Sequence, residues 1–222
     1  MADQSEERAR IIEAAYRCLA ASNGTSASVN DILAEAGLST RAFYRHFGSK
    51  DDLLLAMFRR DNDRVTAEMQ AAVASSTSPQ DALRRYVEGT MRLVSDKRRR
   101  QRVLVMTSEE AQRARGYAAE RARSQAGQEA VIALILEQGR ENGSFPWIRD
   151  VKADARAIAA VLRHAFDEQI ARPGVLSSAE AAEHVVDFAL RALGAAVVRS
   201  PAPADAGPER SAMADPFSNS RE

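Results

Sequence analysis

Five serine residues along the chain fit the N-cap position of a helix, and each precedes a segment with helical spacing of apolar residues. They are Ser28, Ser39, Ser49, Ser78 and Ser177. A serine at this position accepts a hydrogen bond from a free backbone N–H group of the first helical turn. No segment alternates apolar and polar residues in the way that a half-buried strand does. The sequence therefore predicts an all-α fold.

The apolar periodicity also predicts where the helices lie. The expected ranges are 6–22, 28–36, 39–47, 49–75, a helix from 78 that includes Val94, one or two helices over 103–142, 152–171 and 178–198. The Asn23-Gly24 pair ends the first helix, as glycine after a helix commonly does. We expect three parts: an N-terminal helical domain over 1–48, a larger helical domain over 49–199 and a disordered tail over 200–222, which is rich in Pro, Ser, Gly and Asp.

The composition limits the class of protein. The 222 residues include 31 Lys plus Arg and 31 Asp plus Glu, so the net charge is zero and does not by itself indicate nucleic-acid binding. The single cysteine, Cys18, cannot form an internal disulfide, which fits a reducing compartment. The polar N-terminus does not match a signal peptide, and no apolar run approaches the ~20 residues of a membrane span. These features predict a cytoplasmic protein without a membrane partner.

Three short helices open the chain, and a tight turn containing Gly37 joins the second to the third. This arrangement is a helix-turn-helix. Phe43 and Phe47 share one face of the third helix and should pack on the first helix and on Ile32 and Leu33 of the second. The opposite face of the third helix should then lie exposed at the surface.

In a helix-turn-helix, the first residues of the third helix reach base edges in the major groove. Arg41 suits a bidentate contact with guanine, and the methyl group of Thr40 or Ala42 suits the methyl group of thymine. Other side chains and the amides at the starts of helices two and four suit phosphates. The predicted DNA-contacting residues are Ser28, Ser39, Thr40, Arg41, Ala42, Tyr44, Arg45, His46 and Lys50. The alternative is that Tyr44 and His46 only border the core and that the arginines are merely solvated.

The stretch SVNDILAEAGLSTRAFYRHFGSKDDLLLAMF closely resembles the DNA-binding signature of the TetR family of bacterial regulators. The matching positions are Ile32, Ala34, Ala36, Gly37, Ser39, Tyr44, His46, Phe47, Ser49, Lys50, Asp51 and Leu53. The resemblance extends over about residues 8–58. Arg41 stands where the family often has a small residue, so the operator sequence does not follow from that of relatives.

The resemblance implies a regulator, most often a repressor, that binds a palindromic double-stranded DNA operator as a homodimer and releases it when a small-molecule effector binds the second domain. Small residues in the last two helices independently favour close packing between two copies. They are Ala155, Ala159, Ala160, Ala189, Ala192, Gly194, Ala195 and Ala196. The alternative is that both helices serve only the core of their own chain.

An effector pocket would lie among helices four to eight. The candidate lining residues are Met57, Phe58, Met69, Tyr86, Met91, Met106, Tyr117, Trp147, His164 and Phe166. Methionine adapts to irregular ligand shapes, but a methionine or aromatic residue at helical spacing is more often part of the core. Trp147 lies in the GSFPWIRD loop, where it could gate an entrance or hold the loop in place.

Two further clusters have competing interpretations. His164, Asp167 and Glu168 share one side of a helix and could bind a metal or a polar ligand, although a solvated helix side is favoured. The basic run at 96–102, DKRRRQR, could contact DNA or an acidic ligand, but a solvated helix end paired with Glu109, Glu110 and others is favoured.

Two other functions remain to be weighed against a regulator. An enzyme with an appended DNA-binding domain would need a catalytic cluster, and the sequence has no GxGxxG or GxxxxGK motif and no convincing His/Asp/Glu cluster. A constitutive DNA-packing protein would depend on excess positive charge, which this chain lacks. We therefore expect no enzymatic activity, no cofactor and no metal.

Overall fold

The computed structural model describes residues 2–22 and 27–195, and its regular elements over these ranges are ten α-helices without any strand. The helices are α1 (Ala2–Ala21), α2 (Val29–Ala36), α3 (Thr40–His46), α4 (Lys50–Ala74), α5 (Pro79–Ser95), α6 (Lys97–Met106), α7 (Glu109–Arg113), α8 (Tyr117–Glu141), α9 (Val151–Ala171) and α10 (Ser178–Ala192). The all-α prediction is confirmed. Within the described part of the chain, no helix is both long and apolar enough to cross a membrane.

The five predicted N-caps are confirmed. The side chains of Ser28, Ser39, Ser49, Ser78 and Ser177 each accept a hydrogen bond from the backbone N–H group three residues further on. An N-cap of this kind stabilises a helix by about 1 kcal/mol. Local hydrogen bonds that the sequence predicts therefore define where five helices begin: α2, α3, α4, α5 and α10.

The stretch predicted as one or two helices over 103–142 instead contains three, and the first begins at Lys97, where the Asp96 side chain caps it. Ser108 caps α7, and Gly116 precedes α8 with a φ of 97°, a left-handed conformation that favours glycine. At the other end of the chain, α10 stops at Ala192 instead of 198. The predicted stop at Asn23-Gly24, the residues after 195 and the predicted disordered tail lie outside the described residues.

The first of two main hydrophobic cores lies among α1, α2, α3 and the beginning of α4. Phe43 is fully buried and Phe47 is 3% exposed, and both belong to the same core as Ile32 and Leu33, as predicted. Residues of α6 also enter this core, among them Met106. The beginning of α4 and the end of α6 are therefore physically part of the N-terminal unit, whereas the predicted boundary between residues 48 and 49 stays a prediction.

The second core lies among the later part of α4, α5, α8, α9 and α10. It contains four of the small residues that we assigned to a contact between two copies: Ala155, Ala159, Ala189 and Ala195. That assignment is wrong for these four, because they are at most 8% exposed within a single chain. Two others, Ala160 and Ala192, are exposed. Gly194 packs under the Trp147 ring, and Ala196 is outside the described residues.

Candidate DNA-binding surface and internal cavity

The turn between α2 and α3 is held by backbone geometry and by one long-range hydrogen bond. Gly37 has a φ of 63°, and its N–H group donates to the carbonyl group of Ala34. The Arg10 guanidinium of α1 donates to the carbonyl oxygen of Ala36 at 2.7 Å. Because the turn is tied to α1, α3 has a defined direction relative to the other two helices.

The outer face of α3 presents hydrogen-bond donors to solvent. Thr40, Arg41, Tyr44 and Arg45 are exposed, and Tyr44 is 62% exposed despite its size. Arg41 forms no hydrogen bond and no ion pair with any described residue. Thr40, Arg41 and Tyr44 are therefore accessible to a DNA groove, as the sequence predicts for them, whereas Arg45 is exposed but paired with Glu7.

Two predicted contact residues lie further inside than expected. Ala42 is 4% exposed because it packs into the helix-turn-helix. The His46 side chain is 8% exposed, and its Nε2 atom lies 3.0 Å from Oε2 of Glu7 in α1. Arg45 donates to the same carboxylate oxygen at 2.8 Å. Of the two methyl groups predicted to meet thymine, only that of Thr40 is exposed, and His46 is positioned to hold α3 on α1.

The Glu7 carboxylate has a lowered pKa because of this arrangement. The largest cause is the hydrogen bond with His46, burial opposes it, and the positive charge of Arg45 adds to it. A carboxylate with a lowered pKa stays ionised over a wider pH range. Glu7 is therefore a fixed negative charge beneath the basic end of α3.

The remaining predicted phosphate contacts are engaged in the protein itself. The Lys50 amino group forms an ion pair with Glu110 of α7. Ser28 and Asp31 form a reciprocal capping box, in which the Ser28 hydroxyl accepts at 3.1 Å from the Asp31 N–H group and the Ser28 N–H group donates at 3.0 Å to the Asp31 carboxylate. The Ser39 hydroxyl accepts from the Ala42 N–H group at 3.3 Å and so caps α3 without a reciprocal bond. All three side chains lie at helix starts, where the positive end of the helix favours phosphate.

A three-helix unit, a tight glycine turn and an exposed, donor-rich third helix together define a helix-turn-helix DNA-binding domain. Residues 11–57 match the model of the family described as bacterial regulatory proteins, tetR family. This match covers the helix-turn-helix, and it is to the family that the sequence motif predicted.

Relatives with sequence and structural similarity agree with this assignment. An uncharacterized HTH-type transcriptional regulator of Mycobacterium tuberculosis is 31% identical over 87 residues, which are 39% of this chain and 43% of the relative. The match thus spans less than half the length of that protein.

Among solved structures, a bacterial regulatory protein in the tetR family from Rhodococcus RHA1 is 25% identical, with a TM-score of 0.62 and coverage of 86% and 98% of the two chains. A SmeT–triclosan complex is 20% identical, with a TM-score of 0.72 and coverage of 89% and 99%.

A cavity of about 210 Å³ lies among α4, α5, α6, α8 and α9. Five of the ten residues that we predicted to line a pocket do line it: Phe58, Tyr86, Met106, Tyr117 and Phe166. Apolar, uncharged polar and charged side chains of the same helices complete its wall. The volume is below the ~300–1,000 Å³ common for ligand pockets, so the space suits a small molecule.

The other five predicted lining residues do not reach the cavity. Met57, Met69 and Met91 are at most 6% exposed and fill the two cores instead. Trp147 is 66% exposed and lies over Gly194, so it packs the GSFPWIRD loop on the end of α10. His164 is exposed on α9 and outside the cavity. Helical spacing identifies a buried face but does not distinguish core from cavity.

Seven charged residues line the cavity, and the predicted pocket lining included none of them. They are Asp61, Arg64, Arg99, Arg102, Arg121, Arg163 and Asp167. Two features of the sequence pointed to some of them: the basic run at 96–102, and the His164, Asp167 and Glu168 group that was weighed as a polar-ligand site. The arginines lie on four different helices, so no local pattern brings them together.

The basic run has other partners than predicted. Arg99 donates to Glu68 at 2.7 Å, and Arg100 donates to the carbonyl oxygens of Gln169 and Ile170 at the end of α9. Arg102 pairs with Glu13 and Asp61. The predicted pairing with Glu109 and Glu110 is wrong: Glu109 pairs with Arg113 and Glu110 with Lys50. The run forms the start of α6 and ties this helix to three others.

The His164, Asp167 and Glu168 group does not form a metal site in this structure. Glu168 pairs with Arg172 at 3.5 Å, one turn further along α9. Over residues 2–22 and 27–195, no group of three or more His, Cys, Asp or Glu side chains is arranged to hold a metal ion.

Proposed function

We propose that this protein is a ligand-responsive transcriptional regulator, which binds a palindromic operator as a homodimer and leaves it when a small molecule occupies the cavity. Its role is that of a repressor, and no catalytic step is part of the proposal. The TetR-family DNA-binding domain and the exposed donors of α3 support the DNA-binding half of this function. One structural observation supports the response to a ligand: the cavity and α1 share two charged side chains.

Arg102 is the first of these shared residues. Its Nη2 atom lies 3.0 Å from Oε2 of Glu13 in α1, and its Nη1 atom lies 3.0 Å from Oδ1 of Asp61 in α4. The guanidinium also stacks on the Tyr16 ring of α1, with its central carbon 4.4 Å from the ring centroid. Arg102 also lines the cavity, so one side chain contacts both α1 and the space for a ligand.

Asp61 is the second shared residue. It accepts a hydrogen bond from the Tyr16 hydroxyl at 2.7 Å and also lines the cavity. Burial is the largest cause of the raised pKa of Tyr16, and the Asp61 charge adds to it, so the hydroxyl keeps its proton and donates. A ligand that rearranges Asp61 or Arg102 must therefore disturb contacts of α1, the helix against which α3 packs.

Such a shared wall couples the two binding events. A ligand that prefers a different arrangement of this wall weakens DNA binding, and DNA must weaken ligand binding by the same factor. With the operator bound in the absence of the ligand, transcription is blocked, and the ligand relieves the block.

The homodimer follows from the size of the DNA-binding domain, since one recognition helix covers too little DNA for a specific site. The exposed outer faces of α9 and α10 are the proposed interface. Phe188 of α10 is 45% exposed although it is a large apolar residue, and Ala160 and Ala192 are exposed small residues on the same two helices. Two copies would place their recognition helices about 34–36 Å apart, or a multiple of that distance.

The experiment that tests this function is footprinting on the DNA that flanks the protein's own gene, with and without candidate metabolites. We expect protection of a palindromic site that is lost when the effector is added. The Arg102→Gln variant should bring the ratio of operator Kd values with and without effector closer to one. Arg98→Gln is the matched control, because Arg98 is exposed on the same helix and outside the cavity. Protection that no metabolite alters would contradict the proposed response.

A further inference from the structure

The Tyr86 hydroxyl is a hydrogen-bonding group of the cavity wall without a partner among the described residues. Tyr86 of α5 is 3% exposed and lines the cavity, and its hydroxyl forms no hydrogen bond with any described residue. A tyrosine hydroxyl in a buried residue usually has a hydrogen-bond partner, and a ligand that displaces water from the cavity has to supply one for Tyr86. The Tyr86 hydroxyl is therefore available to donate a hydrogen bond to an acceptor atom of a ligand in the cavity.

Two other buried tyrosines provide an internal comparison. The Tyr16 hydroxyl donates to Asp61 at 2.7 Å, and the Tyr117 hydroxyl donates to the carbonyl oxygen of Met106 at 3.1 Å. Both are satisfied within the protein. Burial raises the pKa of Tyr86, so its hydroxyl stays protonated and can donate. A ligand bound beside Tyr86 needs an acceptor atom.

The charges of the wall indicate the sign of that ligand. Five arginines and two aspartates line the cavity, which gives a formal charge of +3 (5 − 2). Glu13 and Glu68, which lie outside it, pair with Arg102 and Arg99 and offset two of these charges. Arg121 of α8 and Arg163 of α9 have no carboxylate within 4 Å among the described residues. The wall keeps unpaired positive charge on two facing helices.

One group of the wall opposes an anion. Asp167 lies four residues after Arg163 on α9, also lines the cavity and has no ion-pair partner among residues 2–22 and 27–195. The remaining carboxylate of the wall, Asp61, is occupied by Arg102 and Tyr16. Two unpaired arginines against one unpaired aspartate leave the balance in favour of a ligand with one negative charge.

We propose that the effector of this cavity is a small carboxylate with an apolar tail or ring. Its oxygens accept a hydrogen bond from Tyr86 and meet the charges of Arg163 and Arg121, and its apolar part lies against Phe166 and Leu162. This proposal rests on the proposed function in that it names the effector of the same cavity, but binding of the carboxylate is measurable without DNA. The volume of about 210 Å³ favours a short or medium-length chain over a long one.

Calorimetric titration of the full chain tests the charge. The probes are hexanoate, octanoate and decanoate, with 1-octanol as the neutral match of octanoate and octyltrimethylammonium as the cationic match. We expect at least one carboxylate to bind roughly tenfold more tightly than the alcohol, which corresponds to about one charge-assisted hydrogen bond. The cation should bind more weakly still. Equal affinity for octanoate and octanol, preference for the cation, or no binding of any carboxylate would overturn the proposal.

Three variants locate the site. Tyr86→Phe removes only the hydroxyl and should weaken carboxylate binding by roughly tenfold, with 1-octanol unaffected. Arg163→Gln should have a similar selective effect. Arg156→Gln is the control on the same helix, because Arg156 is exposed and does not line the cavity. Unchanged carboxylate affinity in both Tyr86→Phe and Arg163→Gln would place the anion elsewhere and refute the assignment.

A separate measurement distinguishes the failure of this proposal from failure of the proposed function. Operator affinity is measured with and without the carboxylate that binds best. If that carboxylate binds the cavity and leaves operator affinity unchanged, the ligand class stands and the regulatory response fails. If another compound class releases the operator and no carboxylate binds, the response stands and the ligand class fails.

Discussion

The two functional surfaces of this molecule differ in shape and in the origin of their residues. The DNA-binding surface is convex, and its donors come from one helix of seven residues, α3, and the turns beside it. The cavity is concave, and its wall comes from five helices spread over residues 58–167. A convex site can be specified by a short stretch of sequence, whereas a concave site depends on how distant helices pack.

The same contrast appears in how the arginines are used. Arg41 of α3 has no partner in the described protein and is available to DNA. Arg102 of the cavity wall contacts three side chains, Glu13, Asp61 and Tyr16. An arginine that binds DNA needs no partner within the protein. An arginine that couples the positions of two helices has to contact side chains of both helices.

The largest effect on stability and assembly should come from placing a charge on the buried side or on the exposed side of the last helical segment, α10 and its C-cap Leu193. Leu193 is 2% exposed in the second core, so Leu193→Glu should cost on the order of 3–5 kcal/mol of unfolding free energy. Phe188→Glu changes a residue that is 45% exposed and should leave the fold intact but dissociate the proposed dimer. Thermal unfolding and analytical ultracentrifugation measure the two effects. A Phe188→Glu protein that remains dimeric and still binds its operator would show that the interface lies on another face.

Most of the N-terminal fold was predictable because its determinants are local. Ser28, Ser39 and Ser49 each cap the helix that begins at the next residue, and the spacing of Phe43 and Phe47 marks the buried face of α3. The cavity was only half predictable. Periodicity placed its aromatic residues on inward faces but could not separate them from core methionines.

The charged wall and the inner position of His46 were beyond prediction for a physical reason. His46 contacts Glu7, which lies 39 residues earlier in the chain, and Arg102 contacts Glu13, which lies 89 residues earlier. Neither pair shares a helix, so no spacing rule connects the partners. The small residues of α9 and α10 misled us for a related reason, since close packing within one chain and between two chains requires the same side chains.

The next effect concerns specificity on the convex surface. Arg41 is free and lies in the first turn of α3, so Arg41→Ala should weaken operator binding by about 1–3 kcal/mol and relax the base preference at one position of each half-site. Arg45 is held by Glu7, so Arg45→Ala should change the preferred sequence less. A binding-site selection with each variant measures this. Identical preferred sequences for Arg41→Ala and the unmodified protein would remove Arg41 from base recognition.

A smaller effect concerns phosphate binding at the start of α4. Lys50→Ala should weaken binding to all DNA sequences about equally and reduce the slope of log K against log salt by about one unit. Glu110→Gln should have the opposite effect on affinity, because it frees Lys50 from its ion pair. Salt titrations of both variants on operator and unrelated DNA test this pair. A change in sequence preference for Lys50→Ala would show that Lys50 contacts a base.

The smallest effect concerns the acid stability of the DNA-binding domain. Hydrogen bonding with His46, followed by the charge of Arg45, holds the pKa of Glu7 below its ordinary value of 4.5. A carboxylate whose pKa is lower in the folded state contributes stability above its unfolded pKa, and this contribution is lost as the pH falls through the folded pKa. Glu7→Gln should therefore lower stability at neutral pH slightly and reduce the loss of stability below about pH 4.5.

Denaturant unfolding of the full chain at several pH values between neutral and acidic measures this difference. Glu6→Gln is the control, since it removes a neighbouring carboxylate on α1 that forms no ion pair within the described residues. The two variants should diverge from one another at neutral pH and converge in acid, because protonation of Glu7 removes the same interaction that the substitution removes. Parallel curves at all pH values would mean that the contact of Glu7 with His46 and Arg45 contributes nothing to the folded state, and that the other contacts between α3 and α1 suffice.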